Sequence, residues 1–382
     1  MPAVPDPPDR DPELLGELLP CRFGDYVLLR QLAVGGMAEV FLAKRALPAA
    51  GYPEKLVVVK RILPQYGARP EFVRMFRDEA HLAARLSDHP NVVPIYELGS
   101  VGRSHFMSMQ FVDGEDLFRV HRASVAAGES GVPLPVLCRI FADLCAGLHH
   151  AHTLRDERGV PLRLVHRDVS PQNVIVSYAG ATKVLDFGVA QAAIVSRGAD
   201  DPGMLKGKVA YASPEQSMGL AVDHRTDVFA AGTCFWELAC GQRLWRRSTD
   251  QATMAAVLDE QAPPPSRFNP ALPGEVDLVA ARALEKDPRR RYQSAAHMQR
   301  DVEALAALHG VAIDDVAVGK YLRVLFAGKL AARERLVREQ HVDSFEKLLL
   351  AERTETVPMG LITGFEIDWD DVFVEGAFEG AG

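Results

Sequence analysis

Residues 166–173 read His-Arg-Asp-Val-Ser-Pro-Gln-Asn, and residues 183–188 read Lys-Val-Leu-Asp-Phe-Gly. Asp168 and Asn173 stand five residues apart, and Asp186 follows a strand-like Lys183-Val184-Leu185. This stretch separates two unlike halves of the chain. Upstream, apolar and β-branched runs at 26–29, 39–43 and 56–59 predict strands, with a Pro- and Gly-bearing loop at 46–54. A helix is expected over 71–86, where Phe72, Phe76, Ala83 and Leu86 share a face. Further strands fit 92–98 and 105–112. Downstream the pattern is helical, at 134–152, 226–240, 249–258, 276–285 and 295–309. A β-rich part followed by a helical part predicts an α+β chain of two lobes with a cleft between them.

Composition bounds the reading. The chain has 382 residues and is 48% hydrophobic, enough to bury a sizeable core. Its formal charge of −8 is concentrated at the ends: residues 1–20 hold five acids and one arginine, and residues 366–382 hold six acids and no base. The middle carries 42 basic against 40 acidic residues, which argues against a nucleic-acid or membrane-surface partner. Cys21, Cys138, Cys145, Cys234 and Cys240 have no metal-ligand spacing, and four of them lie in apolar helical segments as expected of buried thiols. The absence of an export pattern and of an 18-residue apolar run predicts a cytoplasmic protein.

Phosphoryl transfer needs charge neutralisation around phosphates, metal ligands, and a carboxylate beside the attacking hydroxyl. The residues above, closed by Ser213-Pro214-Glu215, supply these types in a consistent order. The chain resembles the protein kinase superfamily, and within it the bacterial serine/threonine kinases related to the eukaryotic ones (the Hanks type). The resemblance covers about 23–308 and implies the two-lobed kinase fold, with a β-rich N-lobe and a mainly helical C-lobe. It implies ATP and magnesium as cofactors and protein serine or threonine hydroxyls as acceptors. Asp168 would accept the hydroxyl proton, and Asn173 and Asp186 would hold the metal, hard oxygen ligands for a hard cation. Lys60 would contact the α- and β-phosphates and Glu79 would pair with it. Leu32, Gly35 and Val40 would cover the nucleotide, Met109 would stand at the back of the adenine pocket, Val112 in the linker, and Ile175 beneath the base. Asp227 would brace the catalytic loop and Arg291 would pair with Glu215. Singly, each has a plainer reading: Lys60 as a strand-end charge, Glu79 as a solvated helix acid, Asp168 as a turn residue. Their joint order favours the kinase.

The chain departs from the family pattern in several places, among them Val58 two residues before Lys60, where alanine is more usual, and Lys208 where threonine is common. In the phosphate-covering loop, residues 32–40 (Leu-Ala-Val-Gly-Gly-Met-Ala-Glu-Val), Gly35 stands at the middle of the three glycines, with Ala33 and Ala38 at the others. Alanine disfavours positive φ and adds a methyl group where backbone approaches phosphate, so a weaker or stiffer grip on ATP, though not its loss, is expected. Ser170 stands where lysine usually touches the γ-phosphate, and serine supplies no charge. Either another cation substitutes, with Lys206 and Lys208 as candidates, or turnover is slow. Arg167 implies control through an anion in the activation segment, where Ser196 is the one hydroxyl between Gly188 and Ala210, and Asp200 and Asp201 are built-in candidates.

The expected organisation is a Pro-rich acidic leader (1–22), the kinase domain (23–308), a helical extension (309–364) and an acidic tail (365–382). The insertion at 154–164 should be a surface excursion. The tail, with aromatic residues among acids, is either a solvated end or a docking or autoinhibitory segment. Two other functions compete with an active kinase: a pseudokinase scaffold that has lost catalysis, and a small-molecule phosphotransferase. Five retained residues (Lys60, Glu79, Asp168, Asn173, Asp186) weigh against the first, and the Ser-Pro-Glu turn with Arg291 against the second.

Overall fold

The computed structural model describes residues 19–35, 37–46, 56–187 and 209–332. The leader to residue 18, the end of the phosphate loop at Gly36, the segment bearing Ser196, Asp200, Asp201, Lys206 and Lys208, and the tail lie outside the described residues.

The small lobe is one antiparallel sheet. Its strands β1 (Cys21–Phe23), β2 (Tyr26–Val34), β3 (Ala38–Arg45), β4 (Val57–Ile62), β5 (Ile95–Val101) and β6 (Ser104–Gln110) lie in the order β1-β2-β3-β4-β6-β5. One-turn α1 (Pro64–Gly67) and α2 (Pro70–Ala84) enter between β4 and β5. Helix α2 buries Met75, Phe76, Glu79, Ala80 and Ala83. Phe72, expected on that face, is instead half-buried against Tyr66, the rings tilted and 4.7 Å apart, and Leu86 joins the large-lobe core beyond the helix end.

The strand expected at 92–98 begins at Ile95, because its first residues pair elsewhere. Val184 N–H donates to Asn91 O (2.9 Å) and Val93 N–H to Val184 O (3.0 Å), so residues 91–93 are bonded to the large lobe. Asn91 Nδ2 adds a bond to Thr182 O at 3.0 Å.

The large lobe opens with β7 (Gly114–Asp116), which pairs with β8 (Val174–Ser177), itself paired with β9 (Thr182–Val184), in a three-stranded sheet. Helix α3 (Leu117–Ala126) was not foreseen. It starts where the Asp116 side chain accepts from Arg119 N–H at 2.8 Å, capping an orphan donor. Helices α4 (Leu134–Thr153), α5 (Pro214–Ser217), α6 (Arg225–Cys240), α7 (Asp250–Asp259), α8 (Gly274–Ala283), α9 (Ala295–Leu308) and α10 (Asp315–Leu325) complete it. Every residue of α6 from Thr226 to Cys240 is buried, so α6 is the axis of the lobe. It packs on α4 through Phe235 and Phe141, edge to face at 5.1 Å. Gly241, at φ +66°, ends α6 in the left-handed conformation that glycine adopts without penalty.

Residues 154–164 form the expected surface excursion, closed by Asp156 Oδ1, which accepts from the backbone N–H of Arg158 and Val160. Cys138, Cys145, Cys234 and Cys240 are buried, and burial pushes the thiols of Cys138, Cys145 and Cys240 up to about 12. Among the described residues, no helix is long and apolar enough to cross a membrane.

Candidate active site

The two-residue period of β4 sorts its side chains. Val57 and Val59 point into the sheet core with Tyr26 and Phe41, which puts Val58 and Lys60 on the opposite face. Val40 stands across from Lys60 in β3, and Met109 across from Val58 in β6. Lys60 Nζ lies 2.9 Å from Glu79 Oε1 and 3.0 Å from Asp186 Oδ1. Burial works against the ammonium, yet the charges of Asp186 and Glu79 outweigh it and hold Lys60 above the ordinary lysine range. Lys60 thus joins a strand, a helix and the segment after β9 across the cleft.

The catalytic loop is held from below. Asp227, 1% exposed at the start of α6, accepts from the N–H groups of His166 and Arg167, each at 2.8 Å. His152 Nε2 meets the same carboxylate at 2.8 Å. Burial opposes this charge, but the His152 bond and the backbone donors prevail and keep the carboxyl below its usual range. Arg167 sits at φ +66° and Asp186 at φ +46°, a region that costs a non-glycine residue of order 1 kcal/mol or more, and the grip of Asp227 offsets that strain at Arg167.

His166 links this loop to Asp186. Its Nε2–H donates to Leu185 O at 2.8 Å, leaving Nδ1 to accept from Asp168 N–H at 3.3 Å. Its ring lies 4.7 Å from that of Phe187, which is buried. Asn173 Nδ2 donates to Asp168 O (2.7 Å) and to Asp168 Oδ2 (2.8 Å). The amide nitrogen is committed to Asp168, so the amide oxygen is the donor Asn173 has for a cation.

The remaining sequence-predicted residues lie on β2, β3, β6 and β8 and in the segments next to them. Gly35 N–H bonds Ala38 O at 2.7 Å, closing the β2–β3 turn, while Leu32 packs half-buried against the Leu29–Leu42 cluster. Among the described residues only Arg163, Arg167 and Asp186 are non-glycines at positive φ, so Ala33 and Ala38 do not incur the strain expected of them. Met109 is buried with Met107 and Phe76, and Val112 is half-buried beside them. Ile175 stands in β8 directly across from Asp116 in β7. A cavity of about 20 Å³ lies behind Met109, bounded by Glu79, Leu185, Asp186 and Phe187.

Ser170 is 1% exposed, and its Oγ has no hydrogen-bond partner among the described residues. Arg291 and Glu215 form a buried two-point pair at 2.9 and 3.1 Å, and Arg291 also donates to Arg225 O and Glu285 O. Sequence reasoning missed two residues. Gln216 Nε2 donates to Arg167 O at 3.0 Å and its Oε1 accepts from Ser213 N–H, so the turn at α5 fastens the catalytic loop. The Ser-x-x-Gln capping pattern at 213–216 was the available signal. His152 is the other, and nothing in its local sequence marks it.

Comparison with known proteins agrees with this geometry. The protein kinase domain family matches residues 26–302. Tyrosine-protein kinase MasK of Myxococcus xanthus is 41% identical over 302 residues, covering 79% of this chain and 46% of that protein. Serine/threonine-protein kinase PrkC of Bacillus subtilis is 31% identical, covering 73% and 40%, and serine/threonine-protein kinase PknB of Mycobacterium leprae is 32% identical, covering 72% and 42%. The chain spans less than half the length of these curated relatives. A crystal structure of the Mycobacterium tuberculosis PknI kinase domain superposes with a TM-score of 0.54 at 28% identity, covering 75% of this chain and 98% of that one.

Proposed function

The chain belongs to the protein kinase family, of the bacterial Hanks type, and we propose that it transfers the γ-phosphate of ATP, with magnesium, to serine or threonine hydroxyls of proteins. The observation that carries this reading is the joined set Lys60–Glu79, Lys60–Asp186 and Asn173–Asp168. Together these bring an ammonium group, two carboxylates and an amide to one cleft, the residue types that phosphoryl transfer needs.

The residues fit the nucleotide and its metal. Asp186 and the amide oxygen of Asn173 are the hard oxygen donors that would hold magnesium. Lys60, kept charged by two carboxylates, would meet the α- and β-phosphates. The adenine would lie between Val40 and Ile175, against the backbone of 110–112, with Leu32 and Gly35 over it and Met109 at its back. ATP supplies the phosphoryl group, and magnesium neutralises charge on its oxygens. Asp168 orients the acceptor hydroxyl and takes its proton, and the Asn173 bond fixes the carboxylate for that task. Tyr, Ser and Thr all present a hydroxyl, so the acceptor is decided by shape. Serine and threonine are favoured by the names of PrkC and PknB and by the Ser-Pro-Glu-Gln turn. A second reading, tyrosine as acceptor, is favoured by the name of MasK and by the short Ser170 where a lysine is usual. Cytoplasmic signalling, with protein substrates and a contact made by the C-terminal tail, completes the proposal.

The test is phosphate incorporation from labelled ATP with magnesium into the chain itself and a generic acceptor, wild type beside Asp168→Asn. Incorporation lost in the variant supports the kinase, and phosphoserine, phosphothreonine or phosphotyrosine names the acceptor. Retained nucleotide binding with no incorporation would replace the proposal with the pseudokinase reading.

A further inference from the structure

Helix α10 begins beyond the matched family region, which ends at residue 302, yet it is seated on the turn between β8 and β9 by contacts that need particular residues. A Cβ on Gly180, at φ +103°, would lie 1.9 Å from Asp315 O, and one on Gly319 would lie 2.7 Å from Tyr178 O. Both glycines therefore permit a backbone approach that any other residue would block. Arg323 donates to Tyr178 O, and Arg139 Nε lies 2.9 Å from Asp315. Past Phe326 the chain is helical again, and Lys329 Nζ reaches Glu115 Oε1 at 2.6 Å. Glu115 is 1% exposed and also receives Tyr178 Oη at 2.5 Å.

Glu115 belongs to β7, one residue before Asp116, the cross-strand partner of Ile175. The β7-β8-β9 sheet carries Ile175 within it, Asn173 just before β8 and Asp186 just after β9. A buried carboxylate needs its charge partners, and here one of them comes from the extension. We infer that α10 and Lys329 brace the sheet beneath the nucleotide, so that the functional unit runs past the expected boundary at 308 to at least residue 332, with Lys329 as a positioning residue for nucleotide binding. The role assigned to the sheet rests on the kinase reading above.

Two readouts on the full chain test it: nucleotide affinity by titration of ATP with magnesium, and hydrogen exchange at the backbone amides of β8. Lys329→Met is compared with Lys329→Arg and with Arg282→Ala, which breaks a surface pair (Arg282–Asp301, 3.2 Å) elsewhere in the same lobe. Lys329→Met should weaken nucleotide binding by about threefold to tenfold and speed β8 exchange, Lys329→Arg should restore both, and Arg282→Ala should change neither. Gly319→Leu, which unseats α10 sterically, should act in the same direction and more strongly. The brace is overturned if Lys329→Met matches wild type in both readouts, or if Arg282→Ala moves them equally. Wild type that binds no nucleotide would sink the kinase reading instead, and the exchange comparison would still decide the brace.

Discussion

Two acid–base arrangements in this molecule are built to opposite ends. Arg291 and Glu215 are saturated: the guanidinium meets both carboxylate oxygens and several carbonyls, and its side chain is 0% exposed. Lys60 lies between two carboxylates at the edge of the cleft, with Asp186 31% exposed. A compact ammonium shared by two acids can exchange one of them for a phosphate, whereas a planar fork filled on every side exchanges nothing. The Arg291–Glu215 pair is built to stay shut, and the Lys60 arrangement can be re-partnered.

The contrast is broken most severely at Asp186. Asp186→Asn should lower phosphate incorporation by about a thousandfold or more while leaving the melting temperature nearly unchanged, since a cleft-edge charge contributes to chemistry and not to the core. A fall in melting temperature of similar severity to that of a core variant would erase the distinction. Next comes Arg291→Met, which strands the Glu215 carboxylate in the core and should cost about 3–5 kcal/mol in chemical denaturation. Adding Glu215→Leu should recover part of that loss, because the orphaned charge is gone. Glu79→Gln keeps a hydrogen bond to Lys60 but removes one charge, and about a tenfold to hundredfold fall in kcat/KM is expected with little loss of stability.

The smallest effect is a pH dependence outside both pairs. Burial raises Asp143 to about 6, although Arg139 lies 2.9 Å away. A carboxyl whose folded pKa exceeds its unfolded one binds a proton more readily in the native state. Its burial therefore disfavours folding above about 6, and that cost fades as pH falls from 6 toward the ordinary value of 3.8. Asp143→Asn removes the titration, so its stability advantage over wild type should be largest near neutral pH and shrink on acidification. A difference in denaturation midpoint that stays constant from pH 7.5 to about 4.5 would exclude this.

Much of the cleft was legible because its residues sit in contiguous, locally patterned segments. Lys60 was placed by the family resemblance at the end of a strand-like run, and the 166–173 and 183–188 stretches announced Asp168, Asn173 and Asp186. The strand before Ile95 was misplaced because Val92 and Val93 are claimed by Val184, a partner far along the chain that no window reveals. Helix α3 was hidden by its shortness and its arginines. Nothing in the local sequence of Glu115 or Lys329 marks their pairing, which depends on the three-dimensional approach of α10 permitted by Gly180 and Gly319. Ala33 and Ala38 were misjudged in the other direction: the composition of the loop suggested strain that the backbone does not adopt.

The tie between residues 91–93 and Val184 acts as a pin set in the frame of the large lobe. Were the lobes to turn about that point, displacement would grow with distance from the pin. Asp186, two residues beyond Val184, would move little. Glu79 and Lys60, bonded to each other on the far arm, would travel together. Lobe opening would then part Lys60 from Asp186 before it parts Lys60 from Glu79, so the pin sets the order in which the cleft comes undone.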